Sequence, residues 1–125
     1  MTLALELFLP YPPSVNTYWG FRGSHRFLTQ RAREFKASVH TAFLLSNHLG
    51  FQAHRVSLCV YLQAPDKRVR DIDNVAKPLL DALTQAGVFQ DDGQVDRLLI
   101  VRCKPVKKGS CKVVIDVLPP DDLWL

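Results

Sequence analysis

Residues 65–97 read PDKRVRDIDNVAKPLLDALTQAGVFQDDGQVDR, and the elements on either side take their places from this stretch. Asp73 is of a type that caps helix N-termini, and behind it Val75, Leu79, Leu80, Leu83 and Ala86 recur at helical spacing until Gly87. The spacing predicts a helix over 74–86, about 20 Å long at ~1.5 Å per residue. Val88-Phe89 then leads through Asp91-Asp92-Gly93, a turn composition, into a strand that starts at Val95. The helix is thus bracketed by two acidic pairs, Asp71 with Asp73 and Asp91 with Asp92. Only tertiary folding can bring these pairs together.

Upstream, Val56, Leu58, Val60 and Leu62 alternate with Ser57, Cys59 and Tyr61, which predicts a strand over 56–62. Leu3, Leu5, Leu7 and Leu9 alternate in the same way and predict a strand over 3–9, stopped at Pro10. The segment Pro10-Tyr11-Pro12-Pro13-Ser14-Val15-Asn16 cannot supply a regular ladder. Tyr18, Trp19 and Phe21 follow it beside Arg22, His25 and Arg26, placed either to anchor a loop on the core or to stack on bases. Thr29 caps a second predicted helix that runs to about Leu49 and ends at Gly50, with Ala32, Phe35, Val39, Ala42, Phe43 and Leu45 on its apolar face. Arg31, Arg33 and Lys36 occupy its first turns, either as a phosphate-facing stripe or as a tolerated clash with the helix dipole.

Downstream, Val95–Cys103 and Cys111–Val117 read as two strands joined as a hairpin through residues 105–110. The tail, Leu118–Leu125, has breakers followed by an apolar end suited to packing on the body or on a partner. The predicted fold is α+β: a two-layer sandwich in which a small mixed sheet is covered by two main helices. Residues 1–125 are expected to form one domain, large enough to bury a core without metal or disulfide.

Composition narrows the function. Sixteen Lys and Arg against twelve Asp and Glu give a net charge of +4. The basic residues gather at Arg22–Arg33, Lys67-Arg68-Arg70 and Arg97–Lys112, around an acidic centre. Cationic flanks around carboxylates suit a phosphate backbone with metal ions between acid and phosphate, and an ordinary solvated surface has the same look. Cys59, Cys103 and Cys111 lack zinc-site spacing and read as reduced strand residues, and no two of the four histidines stand four apart on a helix. Nothing reads as a membrane span or a signal peptide, so the cytoplasm is the expected location.

In an extended segment residues i and i+2 project to one side, so Asp71 and Asp73 are expected to face one site just before the helix. Two carboxylates with water and substrate phosphate oxygens suit Mg2+, with Mn2+ as a substitute. Asp92, ahead of Asp91, would complete the cluster. Lys77, one turn beyond Asp73, would hold the scissile phosphate or stabilise its developing charge during in-line, metal-assisted hydrolysis. Each residue also has an ordinary role: Asp73 as a cap, Asp91-Asp92-Gly93 as a turn, Lys77 with Asp81 as an i, i+4 pair. The residues by themselves leave both readings open.

The ordered motifs resemble one family, the RusA-like Holliday junction resolvases of bacteria and their phages. The resemblance rests on Pro10–Asn16, on Arg70-Asp71-Ile72-Asp73-Asn74 with Lys77, on Asp81–Gly87 and on Asp91-Asp92-Gly93-Gln94-Val95, and it covers nearly the whole chain. It implies a magnesium-dependent endonuclease, bacterial or prophage-borne, that acts as a homodimer and nicks opposed strands of a four-way DNA junction. It carries the metal-binding role to Asp71, Asp73 and Asp92, with Asp91 as the weaker member of its pair and Lys77 in support. Lys67, Arg68, Arg70, Asn74, Lys107 and Lys108 are the expected DNA contacts. The loop Lys67-Arg68-Val69-Arg70 is less uniformly basic than the family pattern, which bears on sequence preference and junction distortion. A restriction-type nuclease would pair Pro65-Asp66 with a later acid-x-Lys triplet, and none follows at a suitable place. A non-catalytic junction-binding module would not need the acids, and a protein-interaction domain would use them only as caps.

Overall fold

The structure, a computed structural model, describes residues 3–119. The expected packing of the tail's apolar end falls outside the described residues. Along the chain come β1 (Leu5–Leu9), β2 (Trp19–Arg22), β3 (His25–Leu28), α1 (Gln30–Ser46), β4 (Val56–Gln63), α2 (Ala76–Ala86), β5 (Val95–Arg102) and β6 (Ser110–Val117). The alternating stretches become strands because each has one face to bury. Leu5, Leu7 and Leu9 of β1, Val56, Leu58, Val60 and Leu62 of β4, and Cys111, Val113 and Ile115 of β6 are all buried. They meet Phe35 and Val39 of α1 and Leu79, Ala82 and Leu83 of α2 in one core. This is the predicted α+β sandwich, a mixed four-stranded sheet in the order β1-β6-β4-β5 under two helices. The opposite face of the sheet carries no helix, and Phe8 and Leu99 stand exposed there.

Four expectations need correction. The hairpin predicted between the last two strands does not form: β5 pairs parallel to β4, while β6 lies antiparallel between β1 and β4. A parallel neighbour needs a long crossover, and the segment containing α2 supplies it. β6, apolar on its inner face, takes a central slot, and the more exposed β5 takes the edge. Secondly, α1 begins as expected, with the Thr29 side chain accepting from the Ala32 amide at 3.3 Å, but ends at Ser46. Asn47 terminates it in the left-handed region, φ 59°.

Thirdly, α2 starts at Ala76, preceded by a 3-10 turn at Ile72–Val75. An α-helix from residue 74 would need an amide proton at position 78, and that residue is Pro78. The helix therefore starts late enough to place Pro78 in its first turn, where no amide partner is required. Finally, the aromatic segment read as a loop is the β2–β3 hairpin. The end of α2 is as predicted, with Gly87 left-handed at φ 88°. The loop after α1 crosses so close to this cap that a Cβ on Gly50 would sit 2.9 Å from the Gly87 carbonyl oxygen.

All three cysteines are free, and burial pushes the Cys111 thiol up to about 12, in keeping with a reduced core residue. Tyr18 decides the role of its segment: it is 2% exposed, and its hydroxyl donates to Asp81 Oδ2 at 2.6 Å, with Lys36 Nζ 3.8 Å from the same oxygen. It anchors the hairpin to both helices. Burial, then the Asp81 carboxylate, raises the phenol well above its ordinary pKa. Tyr18→Phe is expected to lower stability by about 1–2 kcal/mol in urea denaturation, because Asp81 loses its hydroxyl donor.

Candidate active site

The proline segment and the acidic motif meet in one open cleft of ≈ 400 Å3. Tyr11, Pro12, Ser14 and Thr17 form one wall, Arg68, Arg70, Asp71 and Asn74 the other, and Arg31 reaches in from the start of α1. Of the three basic residues in the first turns of α1, Arg31 is the one that lines the cleft. Arg33 donates to the Leu28 carbonyl and Lys36 faces Asp81. The loop before the acids is braced by Asp66, which pairs with Arg70 Nη1 at 2.8 Å and Arg68 Nη2 at 3.2 Å. Those hydrogen bonds, Arg70 first, hold the Asp66 carboxyl well below the usual carboxylate range.

Asp71 is extended at the head of the 3-10 turn and makes no capping bond with its side chain. Asp73 lies within that turn, and the N-cap of α2 is Val75, so neither acid is spent as the expected cap. The segment is wound rather than extended from Ile72 onward, which removes the geometry expected to point both carboxylates one way. Asp71 lines the cleft with Asn74, and Asp73 is exposed beside it in sequence but is not part of the lining. Among the described residues, neither Asp71 nor Asp73 enters an ion pair.

The second acidic pair is divided by role. Asp91 accepts from the Gly93 amide at 3.1 Å and forms a capping box with Gln94. Asp92 accepts from Lys77 Nζ at 2.9 Å. Lys77 is therefore not paired with Asp81, as its i, i+4 spacing allowed, because Tyr18 and Lys36 hold that carboxylate. The hydrogen bond from Lys77 to Asp92 outweighs desolvation and raises the lysine pKa, so the side chain stays charged. Folding thus brings the element after α2 back to the first turn of the same helix.

The family model for Endodeoxyribonuclease RusA matches residues 10–118. The chain belongs to the RusA family. Among relatives, the crossover junction endodeoxyribonuclease of Enterobacteria phage HK97 is 35% identical over 113 residues, 90% of this chain and 94% of its own. The protein of the same name from Escherichia coli K12 is 32% identical over 110 residues, covering 86% of this chain and 89% of its own. That of Enterobacteria phage 82 is 31% identical over 107 residues.

For a RusA-family chain the donor set decides which ion fits. Among the described residues no three His, Cys, Asp or Glu side chains stand together as a metal cage. The carboxylate that lines the cleft is the unengaged Asp71, while Asp92, outside that lining, is tied to Lys77. That fits a hard divalent cation held by one or two carboxylates and completed by water and substrate phosphate.

Around this RusA-family cleft, Lys67, Arg68 and Val69 are exposed, and Lys107 and Lys108 are exposed on the loop between β5 and β6. That loop packs closely on the proline segment: a Cβ on Gly109 would lie 2.9 Å from Tyr11 Cβ. Two site residues escaped the sequence reading. Tyr11 stands in the cleft wall, 5.9 Å beneath the Arg70 guanidinium. Gln94 is buried and holds the Asp91-Asp92 turn through its side-chain oxygen.

Proposed function

We propose that this RusA-family endodeoxyribonuclease resolves four-way DNA junctions with Mg2+, as a homodimer in which each chain nicks one strand. What carries the reading is the cleft itself, which sets the unengaged Asp71 carboxylate among Arg31, Arg68 and Arg70. Cations there hold the phosphate backbone on either side of the acid, at the ionic-strength dependence such contacts carry.

Asp71 and Asp73 hold the ion, with Asp92 supporting from the far side of Lys77 and Asp91 serving chiefly to build the turn. When bound, the ion supplies positive charge at the scissile phosphate and lowers the pKa of water. Lys77, kept protonated by Asp92, stabilises negative charge as the phosphorus is attacked. Asn74 donates to the phosphate beside Asp71, and Lys67, Lys107 and Lys108 track the flanking backbone. Lys77→Met is expected to lower the cleavage rate about 10²-fold, with Lys77→Arg recovering part of it, read in single-turnover assays.

Two equivalent sites suit a substrate with approximate two-fold symmetry. The helix-free sheet face, with Phe8 and Leu99 exposed, is the surface we assign to the second copy. The chain acts as one domain over residues 1–125. No helix among the described residues is long and apolar enough to cross a membrane, and we place the enzyme in the cytoplasm with its DNA.

The test is cleavage of a synthetic four-way junction against a linear duplex, with Mg2+ or EDTA. Paired nicks on the junction alone, dependent on the metal, are expected. Tight junction binding with no cleavage under any divalent metal would make the chain a binding module instead.

A further inference from the structure

A second hollow, of ≈ 320 Å3, adjoins the cleft and shares three of its walls, Tyr11, Arg68 and Arg70. The rest of its lining is mainly apolar: Leu62 and Ala64 at the end of β4, Ile72 of the 3-10 turn, and Cys103 and Pro105 after β5. Lys67, Arg102 and Asp66 complete the lining, and Asp66 pairs with both shared arginines, so the charged side of the hollow holds four cations and one carboxylate and stays net positive. The hollow is firmly built. The Cys103 amide donates to the Leu62 carbonyl at 2.7 Å and the Val106 amide to the Ala64 carbonyl at 2.9 Å. Arg102 also donates to the Arg70 carbonyl, tying the two sides together.

Its size sits at the small end of the roughly 300–1,000 Å3 typical of ligand pockets, which suits a single flat ring system. An apolar chamber with one aromatic wall and a cationic mouth matches a nucleotide: base inside, phosphate at the entrance. A ligand reaching it from the cleft passes Arg68 and Arg70, so its phosphate lies where the backbone is held for cutting. At a branch point bases lose a stacking neighbour, which lowers the cost of taking one out of the helix.

We propose that this hollow receives one unstacked nucleobase of the strand being cut, next to the scissile phosphate, with Tyr11 as its aromatic wall. The proposal rests on reading the adjoining cleft as the phosphodiester-cleaving site. Occupation of the hollow commits the strand to one register against Asp71, so it acts on positioning for cleavage more than on overall affinity.

Ala64→Leu fills the hollow without touching the acids. It is expected to slow cleavage of an intact junction roughly ten- to hundredfold, the size of one lost base-stacking contact. A junction with an abasic residue beside the cut phosphate should restore the rate for this variant. Independently of activity, 5-iododeoxyuridine at that position, irradiated with wild-type protein in EDTA, should give an adduct mapping to Tyr11 or its hollow neighbours. Unchanged cleavage by Ala64→Leu, failure of the abasic junction to rescue a folded variant, or an adduct that maps elsewhere would each overturn the proposal. If wild-type protein cuts no junction, the cleft reading fails on its own, and the adduct position still decides whether a base enters the hollow.

Discussion

Asp71→Asn is expected to lower junction cleavage about 10³-fold, a loss of about 4 kcal/mol in transition-state stabilisation, while junction binding in EDTA stays close to wild type. The change is isosteric and removes only charge. Asp71 makes no capping bond, so the fold should lose nothing measurable in a thermal melt. Its carboxylate stands among Arg31, Arg68 and Arg70, so neutralising it leaves the phosphate-holding cations in place and removes the anionic donor. Asp73→Asn separates the two acids. If both variants lose activity to the same degree, both hold the ion. If Asp73→Asn cleaves normally, Asp71 works with Asp92, and the assignment of Asp73 falls. Retained cleavage by Asp71→Asn would remove the metal role from the cleft altogether.

The second large effect is expected from a neutral residue. Gln94 is 5% exposed, and its side chain serves four backbone groups. Its Oε1 accepts from the Gln90 and Asp91 amides, both at 3.0 Å, and its Nε2 donates to the carbonyls of Gln52 at 2.8 Å and His54 at 2.7 Å. Gln94→Ala leaves these four partly buried groups without their side-chain partner, which should destabilise the fold by about 3 kcal/mol. For a chain of this size the midpoint of a thermal melt should fall by about 10 °C. Activity below the transition should fall as well, since the Asp91-Asp92 turn then loses the clamp that presents Asp92 to Lys77. Gln94→Glu keeps the shape but aims an acceptor at two carbonyls, and should be no better. A Gln94→Ala protein as stable as wild type would show that water replaces the side chain.

The strands and the extent of the core were legible because alternation of apolar residues reports burial of one face directly. Pairing was not. Nothing in β5 or β6 says that β4 lies between them, and the short link from Cys103 to Gly109 looks like a hairpin loop when it is a step over β4. The late start of α2 could have been read, since Pro78 forbids a helix from residue 74; the capping preference of Asp73 outweighed it. The acidic motif was visible as chemistry, but the joining of Lys77 to Asp92 depends on how far the chain turns back after Gly87. Gln94 and Tyr11 lie inside the motifs that carry the family resemblance, but their chemistry singled out neither: a lone glutamine or a tyrosine among prolines has no pattern, and their roles depend on groups that only folding brings near.

Every acid assigned to the site lies in the crossover between β4 and β5, and β4 gains its other neighbour only when β6, made later still, slots in beside β1. Such non-local closure comes late in folding. During synthesis, then, Asp71 and Asp92 are joined to the chain before the strand that completes the sheet beneath them. A chain truncated before β6 carries the acids without the strand that joins β1 to β4, so cutting activity is expected only with the finished fold.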